Sequence, residues 1–283
     1  MNKKLIIIAL TVLLIIAAAI FIIRRDKTNN SNIVYNNQPS EDIRNSVWTP
    51  PPGATWQWQL DGDFDNTVDA EVYDIDLFDS SKELVDSLHQ QDKKVICYVS
   101  VGSYEDWRPD AQDFPSSVIG KKYEGWAGEK WLDIRKIDLL GPIMKKRLDL
   151  CAEKGFDAIE PDNIDGYDNK TGFNLDYDDQ LKYNIWLANE AHQRGLSIGL
   201  KNNADQAQDL EPYYDWAMTE DCAAQEWCQD VEIFIQNNKA VFQAEYTDEK
   251  VDFDQVCEDA KQAKFSPILK NRDIDAWRKA CPQ

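Results

Sequence analysis

Two acidic clusters stand out in the chain, and each directly follows an apolar run typical of a β-strand. The cluster Glu160–Asp165 (Glu-Pro-Asp-Asn-Ile-Asp) follows Phe156–Ile159, and the cluster Thr219–Asp221 follows Trp216–Met218. Two carboxylates held at the ends of two strands can cleave a glycosidic bond, because one donates a proton to the glycosidic oxygen while the other attacks the sugar or activates water. The pattern therefore predicts a glycosidase centre built from two strand ends.

Within these clusters, Asp162 and Glu220 are the candidate catalytic pair. Asp162 shares a face with Glu160 by the two-residue period of a strand, and it lies nearer the strand end. We expect Asp162 to be the nucleophile because its side chain is short and well fixed, and Glu220 to be the acid/base because its longer side chain can reach the leaving oxygen. An ordinary ion pair with Lys201 or Lys270 is the alternative for both. Glu160 is either part of the chemistry or a structural residue that is hydrogen-bonded to one of these lysines.

Strand-like and helix-like segments alternate over the region that would have to position these groups. A long loop rich in Trp, Tyr, Gly and Pro interrupts the alternation at 103–133, and a closing helix is predicted at 274–280. Eight strands in roughly 230 residues predict a (β/α)₈ TIM barrel, which typically takes ~250 residues. A doubly wound open sheet is the alternative, although no Gly-x-Gly-x-x-Gly motif follows any strand. The strands are predicted at 55–60, 70–78, 94–102, 156–160, 196–202, 216–220, 240–246 and 265–270.

Aromatic residues are frequent, with ten Trp and eleven Tyr. Trp56, Trp58, Trp107, Trp126 and Tyr167 lie at strand ends or in loops, where sugar rings could stack on them. Core packing is the alternative for Trp56 and Trp58.

The N-terminus differs from the rest of the chain in composition. Leu5–Ile23 is a run of 19 residues without charge, close to the ~20 that cross a bilayer as a helix. We predict a membrane anchor at 1–27, a flexible linker at 28–52 and the barrel domain at 53–283. A cleaved signal peptide is the alternative, in which case the protein would be secreted.

Charge and cysteine content suggest an outer location and exclude some partners. The net charge is −20, and without residues 1–27 there remain 26 basic and 50 acidic residues, a net charge of −24. Such a surface repels nucleic acid, and it either serves solubility or attracts a cationic polymer. Six cysteines behind a membrane segment favour disulfides outside the cell, although buried free thiols are the alternative. Cys222 with Cys228 would close a small loop, and Cys257 with Cys281 would fix the C-terminus.

Other chemistries lack their motifs. No Gly-x-Ser-x-Gly nucleophile motif and no phosphate-binding glycine loop occurs in the sequence. The two histidines, His89 and His192, lie in helix-like segments, so a zinc site is not expected. We expect neither a metal nor another cofactor.

The chain resembles glycoside hydrolase family 114, the endo-α-1,4-polygalactosaminidases, over about Thr55–Cys281. This resemblance implies a (β/α)₈ barrel with Asp162 and Glu220 as the catalytic pair. The positions that it implies for substrate binding are Trp56, Asp76, Tyr98, Lys201, Asn202, Glu245 and Tyr246. The motifs that carry it are Val95–Ser103, Gly155–Tyr167, Leu200–Asn202, Thr219–Glu220, Glu245–Tyr246 and Ile268–Asn271.

The resemblance implies hydrolysis of α-1,4-linked galactosamine polymers, the cationic exopolysaccharides of biofilms and fungal walls. Together with the N-terminal segment, it predicts a monomeric, single-pass membrane-anchored endo-glycosidase whose catalytic domain is extracellular. A barrel that binds cationic exopolysaccharide without cleaving it, and a glycosidase for another sugar, are the alternatives.

Overall fold

The computed structural model describes residues 46–282, and these form a nearly closed barrel of mostly parallel strands. All eight predicted strands are present and pair in chain order, each parallel to its neighbour, so the prediction of a TIM-like barrel is confirmed. The barrel strands are β1 Trp56–Gln59, β2 Val72–Asp76, β3 Lys94–Ser100, β7 Ala158–Asp162, β8 Ser197–Lys201, β9 Trp216–Glu220, β10 Val241–Tyr246 and β11 Ser266–Lys270.

The sheet rolls up because its first and last strands share one apolar core. Trp56 of β1 packs against Phe242 of β10 with ring centroids 4.8 Å apart, and both belong to one buried cluster with Ile268 of β11. The Trp56 indole N–H donates to the Ser266 carbonyl over 2.7 Å, which joins β1 to β11 directly. Buried side chains of β1, β10 and β11 therefore close the barrel.

Helices follow most strands and cover the outside of the barrel. The Ser81 side chain accepts a hydrogen bond from the Leu84 amide and caps α1. A capping box of Asp176 and Asp179 starts α3 in the same way. The helices are α1 Lys82–His89, α2 Ile137–Lys154, α3 Tyr177–His192, α4 Ala207–Leu210, α5 Glu232–Gln236 and α6 Phe253–Ala263.

The predicted loop at 103–133 contains a second, three-stranded antiparallel sheet. Its strands are β4 Ser103–Glu105, β5 Ile119–Lys122 and β6 Glu129–Leu132, with β6 in the centre. The sequence shows no clean alternation here because one face of the small sheet is buried only in part. The insertion is thus an ordered arm next to the end of β3, and we call residues 103–132 the β4–β6 arm.

The predicted closing helix at 274–280 is wrong. Arg278–Ala280 form strand β12, which pairs antiparallel with β11. The free edge of β11 offers backbone partners, and the Cys257–Cys281 disulfide holds the chain beside that edge. Edge pairing of this kind outweighs a weak local helix preference.

The six cysteines form three disulfides, so the prediction of bonded rather than free thiols is confirmed. Cys222–Cys228 closes the loop after β9, and Cys257–Cys281 joins α6 to the end of the chain, as expected. A third bond, Cys97–Cys151, links β3 to α2.

The predicted anchor at 1–27 and most of the predicted linker at 28–52 lie outside the described residues. At the start of the described range, Trp48 packs against the core cluster. Within residues 46–282, no helix combines the length and the apolar character that a membrane span requires.

Candidate active site

A cavity of about 1060 Å³ opens at the carboxyl ends of the barrel strands. Residues from the ends of strands β1 to β3 and β7 to β11, together with the β4–β6 arm, line it. This is the end of a TIM-type barrel where active sites lie. The cavity contains both carboxylates of the predicted catalytic pair, Asp162 and Glu220.

The Lys201 ammonium on β8 joins acidic side chains of the two strands on either side, β7 and β9. Its Nζ lies 2.7 Å from Glu160 Oε1, 3.1 Å from Asp162 Oδ1 and 3.1 Å from Glu220 Oε2. The two oxygens of Asp162 and Glu220 are therefore at most 6.2 Å apart, twice the distance of each from the lysine. Asp162 and Glu220 are partly exposed, at 19% and 25% of their side-chain surface, whereas Glu160 is fully buried. The structure thus brings the two predicted carboxylates together with access to the cavity.

Each carboxylate of the pair also has its own tyrosine. The Tyr98 hydroxyl donates to Asp162 Oδ2 over 2.9 Å, and the Tyr246 hydroxyl donates to Glu220 Oε1. Asn202 holds Glu220 twice, because its amide donates to Glu220 Oε2 over 3.1 Å and its oxygen accepts from the Glu220 amide over 2.8 Å. Both carboxylates are therefore fixed in orientation by groups from neighbouring strands.

The backbone at the strand ends turns sharply, which points these side chains into the cavity. Asn163, Asn202, Asn203 and Asp221 follow β7, β8 and β9 with positive φ angles of 49° to 63°. Asn and Asp tolerate this left-handed conformation better than other non-glycine residues. Strained backbone of this kind gathers at functional sites, and here it lies next to both carboxylates.

Gly102 allows the β4–β6 arm to leave β3 directly beside this turn. A Cβ at Gly102 would lie 1.6 Å from the Asn163 carbonyl oxygen, so no larger residue fits. The Asn163 amide in turn donates to Ser100, Ser103 and Glu129, which ties the arm to the strand that carries Asp162.

The shared lysine controls the charge of its neighbours. Burial alone would lower the pKa of Lys201, but the carboxylates of Asp162, Glu160 and Glu220 raise it well above its ordinary value. Burial raises the pKa of Glu220, yet Lys201 and the hydrogen bonds from Tyr246 and Asn202 outweigh burial and lower it overall. Lys201 is therefore a cation and Glu220 a carboxylate.

A second carboxyl pair lies beneath the cavity floor, inside the barrel. Asp74 and Glu160 are completely buried and hydrogen-bonded to each other, and no other described donor reaches either oxygen of Asp74 or Glu160 Oε2. Burial and the nearby Glu160 raise the pKa of Asp74 well above its ordinary value. Burial also raises the pKa of Glu160, but the Lys201 ammonium and the hydrogen bond from Asp74 oppose the shift. The pair therefore holds one proton, which Asp74 donates to Glu160.

The cavity carries a large excess of acid. Fourteen Asp or Glu residues line it, against three basic residues. All three basic residues are already paired: Lys201 with the central carboxylates, Arg108 with Asp76 and Glu105, and Arg272 with Asp221 and Asp248. Burial and the neighbouring Asp162 raise the pKa of Asp165 to about 6, one result of this crowding.

The model of glycoside hydrolase family 114 matches residues 37–283 of the chain. The chain belongs to this family. A crystal structure of Ega3 from Aspergillus fumigatus in complex with galactosamine is 41% identical, with a TM-score of 0.78, and the match covers 83% of this chain and 97% of Ega3. The glycoside hydrolase domain of PelA from Pseudomonas aeruginosa is 12% identical with a TM-score of 0.63, covering 80% of this chain and 98% of that domain, and so shows the fold alone. No curated protein matches the sequence.

As a member of family 114 the protein is a glycoside hydrolase, and most of the substrate positions implied by the resemblance line its cavity. Tyr98, Lys201, Asn202 and Tyr246 surround the predicted pair, Asp162 and Glu220, at hydrogen-bond distance. Asp76 also lines the cavity, but Arg108 binds both of its oxygens, at 2.9 and 2.6 Å, so its charge is already neutralised.

Trp56 and Glu245 do not line this cavity. Trp56 is 1% exposed and packs in the barrel core, as the alternative interpretation from the sequence proposed. Glu245 is buried and accepts hydrogen bonds from the Ala223 and Ala224 amides, which braces the loop after β9. The strand period cannot separate Trp56 from Trp58, because a residue one pleat lower in the barrel shares the same face. Glu245 is adjacent in β10 to the cavity residue Tyr246, so it lies on the opposite face of the strand.

Of three further cavity residues in this family 114 barrel, the sequence named Trp58 as a possible sugar-stacking ring but did not single out Arg108 or Arg272. Trp58, rather than Trp56, lines the cavity, with its ring 4.7 Å from Lys201 Nζ. The Arg272 guanidinium lies 3.7 Å from the Tyr246 ring and helps to fix that tyrosine. Arg108 neutralises Asp76. Arg272 follows the end of the last barrel strand, and this position could have predicted that it lies in the cavity. Arg108 lies in the β4–β6 arm, where no sequence pattern indicated a cavity residue.

The one grouping of potential metal ligands among residues 46–282 is Cys222, Cys228 and Glu245. The two sulfurs of this group are bonded to each other, so they cannot serve as thiolate ligands.

Proposed function

We propose that the protein is an endo-glycosidase that cleaves α-1,4-linked galactosamine polysaccharide, with Asp162 as nucleophile and Glu220 as acid/base. The observation that carries the proposal is the contact of one buried lysine with both carboxylates, which face the same acidic cavity. Family membership and the galactosamine bound in the Ega3 crystal structure support the substrate class.

The roles follow from the surroundings of the two acids. Asp162 ends β7 and is held by Tyr98 and Lys201, which suits a group that must attack the anomeric carbon in one fixed direction. Glu220 has the longer side chain and can reach the oxygen of the leaving sugar. It must gain a proton before it can act as acid, so activity should fall as pH rises through its lowered pKa.

The separation of the acids supports a double displacement with retention of configuration. The nearest oxygens are at most 6.2 Å apart, because each lies 3.1 Å from Lys201 Nζ. Inverting enzymes keep their carboxyl groups roughly 6.5–9.5 Å apart to admit a water molecule, and retaining enzymes about 5–5.5 Å. In this mechanism, Asp162 forms a covalent bond to the sugar as Glu220 protonates the departing oxygen. Water activated by Glu220 then releases the sugar from Asp162.

The cavity charge supports a cationic substrate. A partly deacetylated galactosamine chain carries ammonium groups, and every basic residue of the cavity is already paired, so the carboxylate excess can concentrate and orient it.

The test is incubation of the full-length protein with partly deacetylated α-1,4-galactosamine polymer, followed by mass spectrometry of the products. We expect short oligomers from the wild type and at least a 1000-fold loss in Asp162→Asn and in Glu220→Gln, on the order of a lost nucleophile or acid. Asp92→Asn and Glu83→Gln remove the same charges at exposed positions and should retain activity. The first-formed reducing end should be the α-anomer by NMR.

Full activity in either active-site variant would remove that residue from its role. Polymer that binds without being cleaved would favour the non-catalytic barrel, and cleavage of neutral α-glucans alone would favour another sugar.

We also propose that the catalytic domain lies outside the cell, attached through residues 1–27. The apolar run Leu5–Ile23 and the three disulfides of the domain support this location. After cell fractionation, the protein should remain in the membrane through alkaline extraction and be cleaved by protease added to intact cells. Release into the medium without the N-terminal segment would favour secretion instead.

A further inference from the structure

Two tryptophans in the cavity are half exposed and have no role in the chemistry described above. Trp107 and Trp126 are 51% and 49% exposed, and both line the cavity that holds Asp162 and Glu220. Among residues 46–282, Trp277 is similarly exposed at 44%, but it does not line this cavity. Large aromatic side chains gain free energy by burial, so two of them left open within a substrate cavity point to a ligand.

Trp107 is held in place although half of its surface is open. It packs against Gly128, where a Cβ would lie 3.0 Å from the indole ring and 2.5 Å from Asp106 Oδ1. The φ angle of Gly128 is +92°, so both the conformation and the close approach require glycine. The Arg108 guanidinium lies 6.0 Å from the ring and is itself fixed by Asp76. The ring is thus preformed as a flat surface.

Trp126 lies in the neighbouring turn of the β4–β6 arm. Its carbonyl accepts from the Glu129 amide over 3.4 Å, and Tyr123 donates to the Glu129 carbonyl over 2.9 Å, which closes the turn. The Glu129 side chain accepts from Asn163, the residue after Asp162. The turn that carries Trp126 is therefore connected by hydrogen bonds to the strand that carries the proposed nucleophile.

Carboxylates accompany the two rings. Glu124 lies two residues before Trp126 and lines the same cavity. Asp79 also lines it, with its side chain 77% exposed and one oxygen 3.5 Å from Arg108. An amino sugar offers an apolar face that stacks on an indole, and an ammonium group that is attracted both to the ring and to a carboxylate. The combination matches a charged sugar better than a neutral one.

We propose that Trp107 and Trp126 form a distal subsite that binds a cationic amino-sugar unit of the polymer away from the cleaved bond. The proposal rests on the proposed function, because it assigns these rings to the same chain that crosses Asp162 and Glu220. The subsite makes the enzyme favour long chains, since a short oligomer fills the central positions without reaching the arm.

The test compares kcat/KM for α-1,4-galactosamine oligomers of increasing length in the wild type, the double variant Trp107→Ala/Trp126→Ala and the control Trp277→Ala. We expect the double variant to lose roughly 10-fold or more in kcat/KM on the longest oligomers, because both the cation–π contacts and the stacking surface are removed. The shortest cleaved oligomer should be unaffected, and the control should match the wild type at every length. Trp107→Tyr/Trp126→Tyr should recover most of the loss.

Equal loss at all lengths, or no loss at any length, would overturn the subsite. The affinity for the long oligomer is also measured in Asp162→Asn protein with and without the two Trp substitutions. This binding measurement distinguishes failure of the subsite from failure of the proposed function. If the wild type cleaves no galactosamine oligomer, the proposed function fails. The subsite is then judged by binding alone, and a double variant that binds the long oligomer as tightly as its parent overturns it.

Discussion

The buried carboxyl pair beneath Lys201 leads to a quantitative prediction for Asp74→Asn. Asp74 and Glu160 are hydrogen-bonded to each other inside the barrel, where no other described donor reaches the oxygens of Asp74. Burial and the Glu160 carboxylate raise the pKa of Asp74 well above its ordinary value. The folded protein therefore retains a proton that the unfolded chain releases near its ordinary Asp pKa of about 3.9.

The number of bound protons sets the sign and the size of the effect. Between the unfolded and folded pKa values of Asp74, the native state binds one proton more than the unfolded state. The stabilisation is complete below pH ~3.9 and is lost as pH rises toward the folded pKa, by about 1.4 kcal/mol per pH unit. Asparagine has no titrating proton, yet its amide can still donate to Glu160. The stability curve of Asp74→Asn should therefore be shallower, by about 1.4 kcal/mol per pH unit wherever the pH lies between the unfolded and folded pKa values of Asp74.

Denaturant unfolding at pH 5, 6 and 7, with the disulfides intact, measures this slope. The buried residues Trp56, Trp58 and Trp216 provide a fluorescence signal of barrel unfolding. Asp92→Asn, which removes an exposed carboxyl group in the turn before β3, corrects for the change in net charge. Parallel curves for the wild type and Asp74→Asn would refute the shared buried proton.

Three other perturbations test the central cluster and the cavity charge. Lys201→Met should lower the free energy of unfolding by about 3–5 kcal/mol in denaturant titrations, because the buried Glu160 loses its cation. Tyr246→Phe removes a hydrogen bond that lowers the pKa of Glu220, so the alkaline limb of kcat/KM should move up by about 1 pH unit; an unmoved limb would argue against Glu220 as the acid. Raising NaCl from about 20 to about 200 mM should weaken the apparent affinity for deacetylated polymer several-fold and leave a neutral glycan unaffected.

The barrel was predictable because its strands have strong local signals. Segments such as Lys94–Ser100 are almost entirely apolar, as expected for parallel strands covered on both faces. The β4–β6 arm and β12 were missed for a physical reason. Their strands are short, and each exists because it pairs with a neighbour or is held by a disulfide, which local sequence patterns do not record.

The sequence predicted which strand ends carry the candidate site, but not how deeply each side chain is buried in the barrel. The two-residue period places Glu160 and Asp162 on one face, yet the structure buries the first and opens the second to the cavity. The same limit applies to Trp56 and Trp58, of which the second reaches the cavity. Which lysine meets the acids also depends on depth. Lys201 contacts them, whereas Lys270 donates to the carbonyls of the segment before β12.

The balance of charge at the barrel mouth explains why a cationic sugar suits this site. Asp74 and Glu160 together hold one proton, so the buried pair carries one negative charge. The single ammonium group of Lys201 therefore faces three negative charges: that of the buried pair and those of the Asp162 and Glu220 carboxylates. Burial and Asp162 hold the pKa of Asp165 at about 6, so this acid is also largely ionised near neutral pH. A substrate ammonium ~5 Å from one uncompensated carboxylate gains about 3 kcal/mol at an effective dielectric constant of about 20. A neutral N-acetyl group gains nothing comparable, so the centre itself, and not only the surrounding surface, should discriminate in favour of deacetylated galactosamine.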